Sequence, residues 1–351
     1  MTFTPRLKRR PKYPPFASVL IPTAVRYLRV SVLCALVTFA LKPSYDHLVH
    51  ALLASGHSER AIFTGLTLCC HTLLYCCMNG FFFYCDRKDL LVEYKFPRKS
   101  YQVPDWNLLR RTWTEAFVNQ VATGPVVLYY MYLVFKYFGM PSLTAPLPSF
   151  RKSCEGYALA VFINDVGFYW SHRLVHAKPL YARIHKQHHT YTGTIGFAAE
   201  YASPPEQIVS NQLPTVGGCL FFGAHPLVFL IWLACRLQQT YEAHSGYCFY
   251  GSWLHKIGLT NSDAAAYHDY HHSGNRGNFG AVWLDWLCGT MDAWLQLGGT
   301  EGYIKMCKSY RVGNSRTATK QKTTANAGKK LAGKKKRNKS RSRRKKPVGT
   351  K

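Results

Sequence analysis

Ala61 to Tyr84 runs for 24 residues without an Asp, Glu, Lys or Arg, and Ala116 to Phe135 for 20 more. About 20 apolar residues in a helix cross the hydrocarbon of a bilayer, so both stretches are predicted to be transmembrane helices. Val30 to Leu41 is a shorter candidate that follows Arg26 and Arg29; it spans only if those arginines snorkel or the helix continues past Lys42. Gly156 to Ser171, uncharged except for Asp165, is a fourth span or a buried helix. Ile208 to Cys235 is uncharged but broken by Pro214, Gly217, Gly218, Gly223 and Pro226, which fits a helical hairpin dipping into the membrane and turning at GAHP.

Charge orients these segments. Arg6, Lys8, Arg9, Arg10 and Lys12 precede the first span, and Arg87, Lys88, Lys95, Arg98, Lys99, Arg110 and Arg111 lie between the second and third. Only Lys42 and Arg60 separate the first two spans, so the positive-inside rule puts the amino terminus and the 86–115 loop in the cytosol, with Arg151 and Lys152 on the opposite side. The formal net charge of +28 is concentrated at the end of the chain, where 315–351 holds 16 Lys and Arg and no acidic residue follows Glu301. Such a tail buries too little apolar surface to fold, and it is read as a disordered electrostatic anchor for anionic lipid. With no aromatic residue for base stacking after Tyr310, a nucleic-acid role is disfavoured. The twelve cysteines form no CxxC pair, and four of them fall inside the Ala61 to Tyr84 run, so they read as packing residues.

Three histidine clusters carry the chemistry: His172 and His176 in HRLVH, His185, His188 and His189 in HKQHH, and His268, His271 and His272 in HDYHH. On an α-helix, residues i, i+3 and i+4 share a face, so each cluster can aim its ring nitrogens at one point. Neutral imidazole ligates iron, zinc and copper, and eight rings are too many for one tetrahedral ion but suit two. With a basic amino-terminal segment (1–24), helices and a basic loop (25–155), a histidine-rich unit (156–300) and the tail (301–351), the chain is expected to be all-α. It is read as an integral membrane protein with about four transmembrane helices, a membrane-dipping hairpin and a cytosolic metal-binding cap.

These clusters on a multi-span chain resemble the fatty acid hydroxylase / sterol desaturase superfamily of membrane di-metal oxygenases. HKQHHTYTGTIGFAAEYASPPE, EAHSGY, AYHDYHH and GNFGAVWLDWLCGT are similar to its sterol C4-methyl oxidase branch, over roughly Asn164 to Met291. The resemblance implies an endoplasmic reticulum enzyme, both termini cytosolic, that oxidises a sterol C4-methyl group to alcohol, aldehyde and carboxylate. It also implies two iron ions, O2, and electrons from NAD(P)H through cytochrome b5 or a similar carrier or reductase. Zinc, which has no redox chemistry, is expected to fit the same histidines in purified samples. The sterol is expected to enter from the bilayer. His244 in HSGY matches a family histidine and joins the eight as a ninth ligand. Glu200, Asn278 and Asp285 match family positions, and Asp165, two helical turns before His172, is a further candidate around the centre. His225 and His255 are read as structural, and His47, His50, His57 and His71 are given no role. Gly167, Phe168, Ala177 and Cys248 depart from the branch pattern. Competing readings are a sterol side-chain 25-hydroxylase or C5 desaturase on the same metal core, and a non-catalytic membrane protein holding structural zinc.

Overall fold

The computed structural model describes residues 11–261 and 263–310, whose regular elements are all helices; no strand occurs among the described residues, apart from an isolated bridge between Lys95 and Tyr247. Residues 1–10 and the tail from 311 onward, including the polybasic stretch, lie outside the described residues.

Helix α1 covers Ala17–Ala54 and α2 covers Glu59–Arg87. These two are long and apolar enough to cross a membrane. In α1 the buried positions Val30, Cys34, Ala35, Thr38, Tyr45 and Val49 form one stripe, while Leu28, Leu33, Leu36 and Leu41 point outward. In α2 Leu73 and Phe81 do the same. A long helix that is apolar on its outward face as well as its packed one is matched to lipid rather than water. The segment read from Val30 to Leu41 is thus the middle of a 38-residue helix that runs past Lys42, whose ammonium bonds Asp46 one turn on at 2.6 Å.

The charge-free run Ala116–Phe135 does not form one regular helix. It straddles α3 (Trp106–Val118), a wide π-helical turn at Asn119–Thr123, and α4 (Gly124–Tyr137). Helix α5 (Phe150–Val175) is 26 residues long but carries Arg151, Lys152, Glu155, Asp165 and Arg173. The Ile208 to Cys235 run is a hairpin, with α6 at Leu213–Phe221, a turn through GAHP, and α7 at Pro226–His244. Gly223 sits in the turn at φ +56°, where a Cβ would stand 2.9 Å from the Gly139 carbonyl oxygen. His225 caps α7 by accepting from the Leu227 N–H at 3.1 Å and donates to the Ala145 carbonyl at 3.0 Å, a purely structural position.

Two cores support the site. The first joins α1, α2, α4, α5 and α7 through Ala35, Phe63, Phe135, Tyr157, Phe229 and Trp232. The second lies under α8 (Ala264–Gly274), followed by α9 (Val282–Leu287) and α10 (Asp292–Leu297), and contains Phe96, Tyr267, Trp294, Tyr303 and Cys307. The last two belong to a helix over 299–310, so the boundary expected at 301 falls inside packed structure: residues 301–310 are not part of a disordered tail.

Candidate metal centre

His172 stands in the last turn of α5 and His176 caps it, so the pair shares a face. His268, His271 and His272 lie on α8. The HKQHH cluster is not on a regular α-helix: His185 ends a π-helical turn at Tyr181–His185, and His188 and His189 open a 3-10 turn. His244 ends α7.

All nine histidines meet in two groups. His172, His176, His185, His189 and His271 form one, and His188, His244, His268 and His272 the other, with the potential ligand atoms of each within 4.8 Å of one another. The expectation that an HxxHH triplet aims at a single point is therefore corrected. In each triplet the i and i+4 rings go to one group and the i+3 ring to the other; on α8, the adjacent His271 and His272 are rotated by about 100° from one another. The two triplets make opposite choices, with His185 and His189 in the first group and His268 and His272 in the second.

The Nδ1 atoms fix the tautomers. His172 Nδ1–H donates to the Phe279 carbonyl at 2.7 Å, His271 to Gly277 at 2.6 Å, His272 to Tyr191 at 2.8 Å and His244 to Thr240 at 2.8 Å. His185 Nδ1–H donates to Glu206 Oε1 at 2.7 Å. A neutral ring protonated at Nδ1 keeps a bare lone pair at Nε2. Yet Nε2 atoms face one another at 3.1 Å between His172 and His185, 3.1 Å between His271 and His189, 2.8 Å between His268 and His244 and 3.1 Å between His272 and His268. His172 and His185 are both anchored through Nδ1, and lone pairs on two such rings repel at that range unless a cation stands between them; Nδ1 of His189 has no protein partner. Nitrogens about 2.0–2.1 Å from one ion are separated by about 2.9–3.4 Å at octahedral to tetrahedral angles, which these spacings match. Burial pushes His188, His189, His268 and His272 well below the usual imidazole range, His271 down to about 3 and His244 to about 4. The rings are thus neutral and available to metal at pH 7.

The other expected residues are placed differently. Asp285 touches no histidine; it accepts from Phe279 N–H at 3.0 Å, Gly280 N–H at 3.1 Å and Thr290 Oγ1 at 2.6 Å, holding the loop whose Phe279 carbonyl orients His172. Burial raises its carboxyl to about 6. Asn278, at φ +52°, turns the same loop and donates to the Tyr267 carbonyl at 3.3 Å. Glu200 lies away from both groups, in a buried polar cluster with Tyr241 and His71, the latter at 3.1 Å. Asp165 bonds Arg26 and Tyr27 of α1. It borders a cavity of about 700 Å³ that also reaches His172, His185, His188, His244 and His268.

Three contributors had no role assigned from sequence. Glu206 braces His185, and burial pushes its carboxyl up to about 9; a dication beyond the ring would oppose that shift. Its signal is that it is the sole acid between Glu200 and Glu242. Asp269, inside HDYHH, faces away from the centre and is completely buried, accepting from Arg98 at 2.8 and 2.6 Å, Thr194 N–H at 2.8 Å and Tyr303. Despite its burial, Arg98 holds its carboxyl below the usual range. His71 left no spacing signal at all.

A family model described as fatty acid hydroxylase matches residues 157–290, which contain every histidine of both groups. The chain is 33% identical over 210 residues to a very-long-chain aldehyde decarbonylase of Oryza sativa subsp. indica, covering 58% of this chain and 76% of the relative. It is 31% identical over 214 residues to a methylsterol monooxygenase of Arabidopsis thaliana, covering 60% and 78%. A putative methylsterol monooxygenase of Dictyostelium discoideum is 33% identical over 217 residues, covering 60% and 80%. No solved structure matches. A helical chain with two apolar membrane-length helices, two convergent histidine groups and these relatives belongs to the fatty acid hydroxylase / sterol desaturase superfamily of oxidoreductases.

Proposed function

We propose that the protein is a membrane di-iron oxygenase that oxidises a sterol C4-methyl group to alcohol, aldehyde and carboxylate. The observation that carries this reading is the convergence of nine Nε2 atoms in groups of five and four at the end of a cavity of about 700 Å³. Iron held by His172, His176, His185, His189 and His271, and by His188, His244, His268 and His272, supplies the activation of O2 and hydrogen abstraction that a methyl group requires. Each oxidation consumes one O2, two electrons and two protons, putting one oxygen into the substrate and releasing the other as water. The electrons come from NAD(P)H through an external carrier such as cytochrome b5. The chain's own task is positional: Nδ1 bonds fix the imidazoles of His172, His185, His244, His271 and His272, and the walls from α1, α5 and α7 hold the lipid against the centre.

In this reading α1, α2, the α3–α4 segment and α5 make four passes of the endoplasmic reticulum membrane, the α6–α7 hairpin dips into it, and both termini and the metal cap are cytosolic. Asp165 borders the substrate, Asp285 and Asn278 set the His172 loop, and Glu200 acts only through packing. The basic tail binds anionic lipid. The similarity to aldehyde decarbonylases favours a second reading, a long-chain aldehyde in the same cavity.

Expression in a yeast strain lacking its own C4-methyl oxidase, with sterol profiling, tests the proposal. Rescue by the wild type and its loss, by a factor of about 100 or more, in His188→Ala and His271→Ala are expected. Failure of the wild type to consume any 4-methylsterol, with turnover of a C30 aldehyde in its place, would favour the second reading.

A further inference from the structure

The cavity wall beside the histidines holds an arginine with no acid of its own. Arg236 on α7 donates from Nε to Asn164 Oδ1 at 3.0 Å and from Nη1 to Thr240 Oγ1 at 2.7 Å, and forms no ion pair among the described residues. Its guanidinium lies over the Phe168 ring, 5.5 Å from the centroid. Asp165, next in sequence to the Asn164 that Arg236 bonds, is itself bonded to Arg26 and Tyr27. Glu206, also on the cavity wall, is bonded to His185 instead, and Asp263 accepts from Thr300 at 3.0 Å. Arg236 lines the same cavity as His172, His188 and His244, and it stands on the helix that ends at His244.

An unpaired guanidinium in a lipid-sized cavity is costly unless something anionic completes it. With Nε and one Nη1 hydrogen bonded, three N–H groups remain, including both on Nη2, which has no protein partner among the described residues. A planar fork braced by Asn164 and Thr240 and stacked on an aromatic ring suits a carboxylate better than it suits a hydroxyl or a methyl. We propose that Arg236, with Asn164 and Phe168, forms a carboxylate-binding subsite for an acidic lipid in the cavity next to the histidine centre. This rests on the cavity being the substrate site. Under the sterol reading the subsite holds the acid made in the third oxidation, so that it leaves more slowly than the alcohol or aldehyde; under other readings it holds the carboxylate of a fatty acid.

Equilibrium binding to the metal-loaded protein in nanodiscs tests the proposal with two matched pairs, a 4-carboxysterol against its 4-hydroxymethyl counterpart and palmitic acid against hexadecanol. The wild type is expected to bind the acid of at least one pair about tenfold or more tightly than its alcohol. Arg236→Gln is expected to reduce that preference to less than about twofold, and Arg236→Lys to retain part of it. Metal content equal to the wild type shows that each variant is folded. Preference for palmitic acid without sterol binding upholds the subsite and removes the sterol reading. Equal affinity for acid and alcohol in both wild-type pairs, or an undiminished preference in Arg236→Gln, overturns the subsite whatever the sterol result.

Discussion

Glu206 is the carboxylate that bonds a histidine of the centre directly, among the described residues, and its other oxygen has no protein partner. Partners that fix a ligating imidazole typically contribute about 10–100-fold in metal affinity or activity. Glu206→Leu is therefore expected to lower metal affinity by about that factor, while Glu206→Gln, which keeps an acceptor oxygen, loses far less; titration of the metal-free protein followed by elemental analysis distinguishes them. At this scale the histidines were legible because they recur at i, i+3 and i+4 spacings, of which only the i, i+4 pairs share a group in the structure. Glu206 and Asp269 were not. One acts through His185 and the other through Arg98 and Tyr303, and neither relation leaves a spacing in the chain. The location of Glu200 shows the opposite failure: a residue in the right stretch of sequence whose side chain points into a separate polar cluster.

Among the elements, the seam between α5 and α6 depends on the absence of side chains. Gly156, Gly167, Gly217 and Gly218 line it, and a Cβ on Gly218 would lie 2.4 Å from the Ala160 Cα. Small residues of this kind let membrane helices approach closely. Gly218→Leu is expected to destabilise the protein by about 1–3 kcal/mol or more, seen as a lower midpoint of thermal unfolding in detergent. An unchanged midpoint would mean that the two helices are free to separate. Charge-free runs announced α1, α2 and the α6–α7 hairpin, since lipid-facing and core-facing positions alike must be apolar. They marked only the middle of α1, which runs past Lys42 as one of the two readings allowed, and passed over the π-helical turns at Asn119–Thr123, Tyr181–His185 and Gln207–Gln212. A π turn widens the helix by one residue without requiring any residue type, so tertiary packing decides where it occurs.

Across the whole molecule, one buried ion pair ties distant parts of the chain together. Arg98 follows α2, Asp269 sits among the histidines of α8, and Tyr303 belongs to the last described helix; the three meet around the Asp269 carboxylate. Removing one partner of a buried pair leaves an uncompensated charge, at a cost of about 3–5 kcal/mol. Arg98→Leu and Asp269→Asn are both expected to lower stability and metal content, since the first leaves the Asp269 carboxylate and the second the Arg98 guanidinium buried without its counter-charge; unfolding midpoints and metal stoichiometry read both. That long-range closure was invisible in the sequence, where the basic loop read only as a topology signal. The split triplets extend the closure to the reactive centre. A displacement of α8 necessarily disturbs both groups at once, taking His271 from one and His268 and His272 from the other. Ions held by the two groups would thereby be yoked to a single rigid rod, and neither position could be re-tuned while its neighbour stayed as it was.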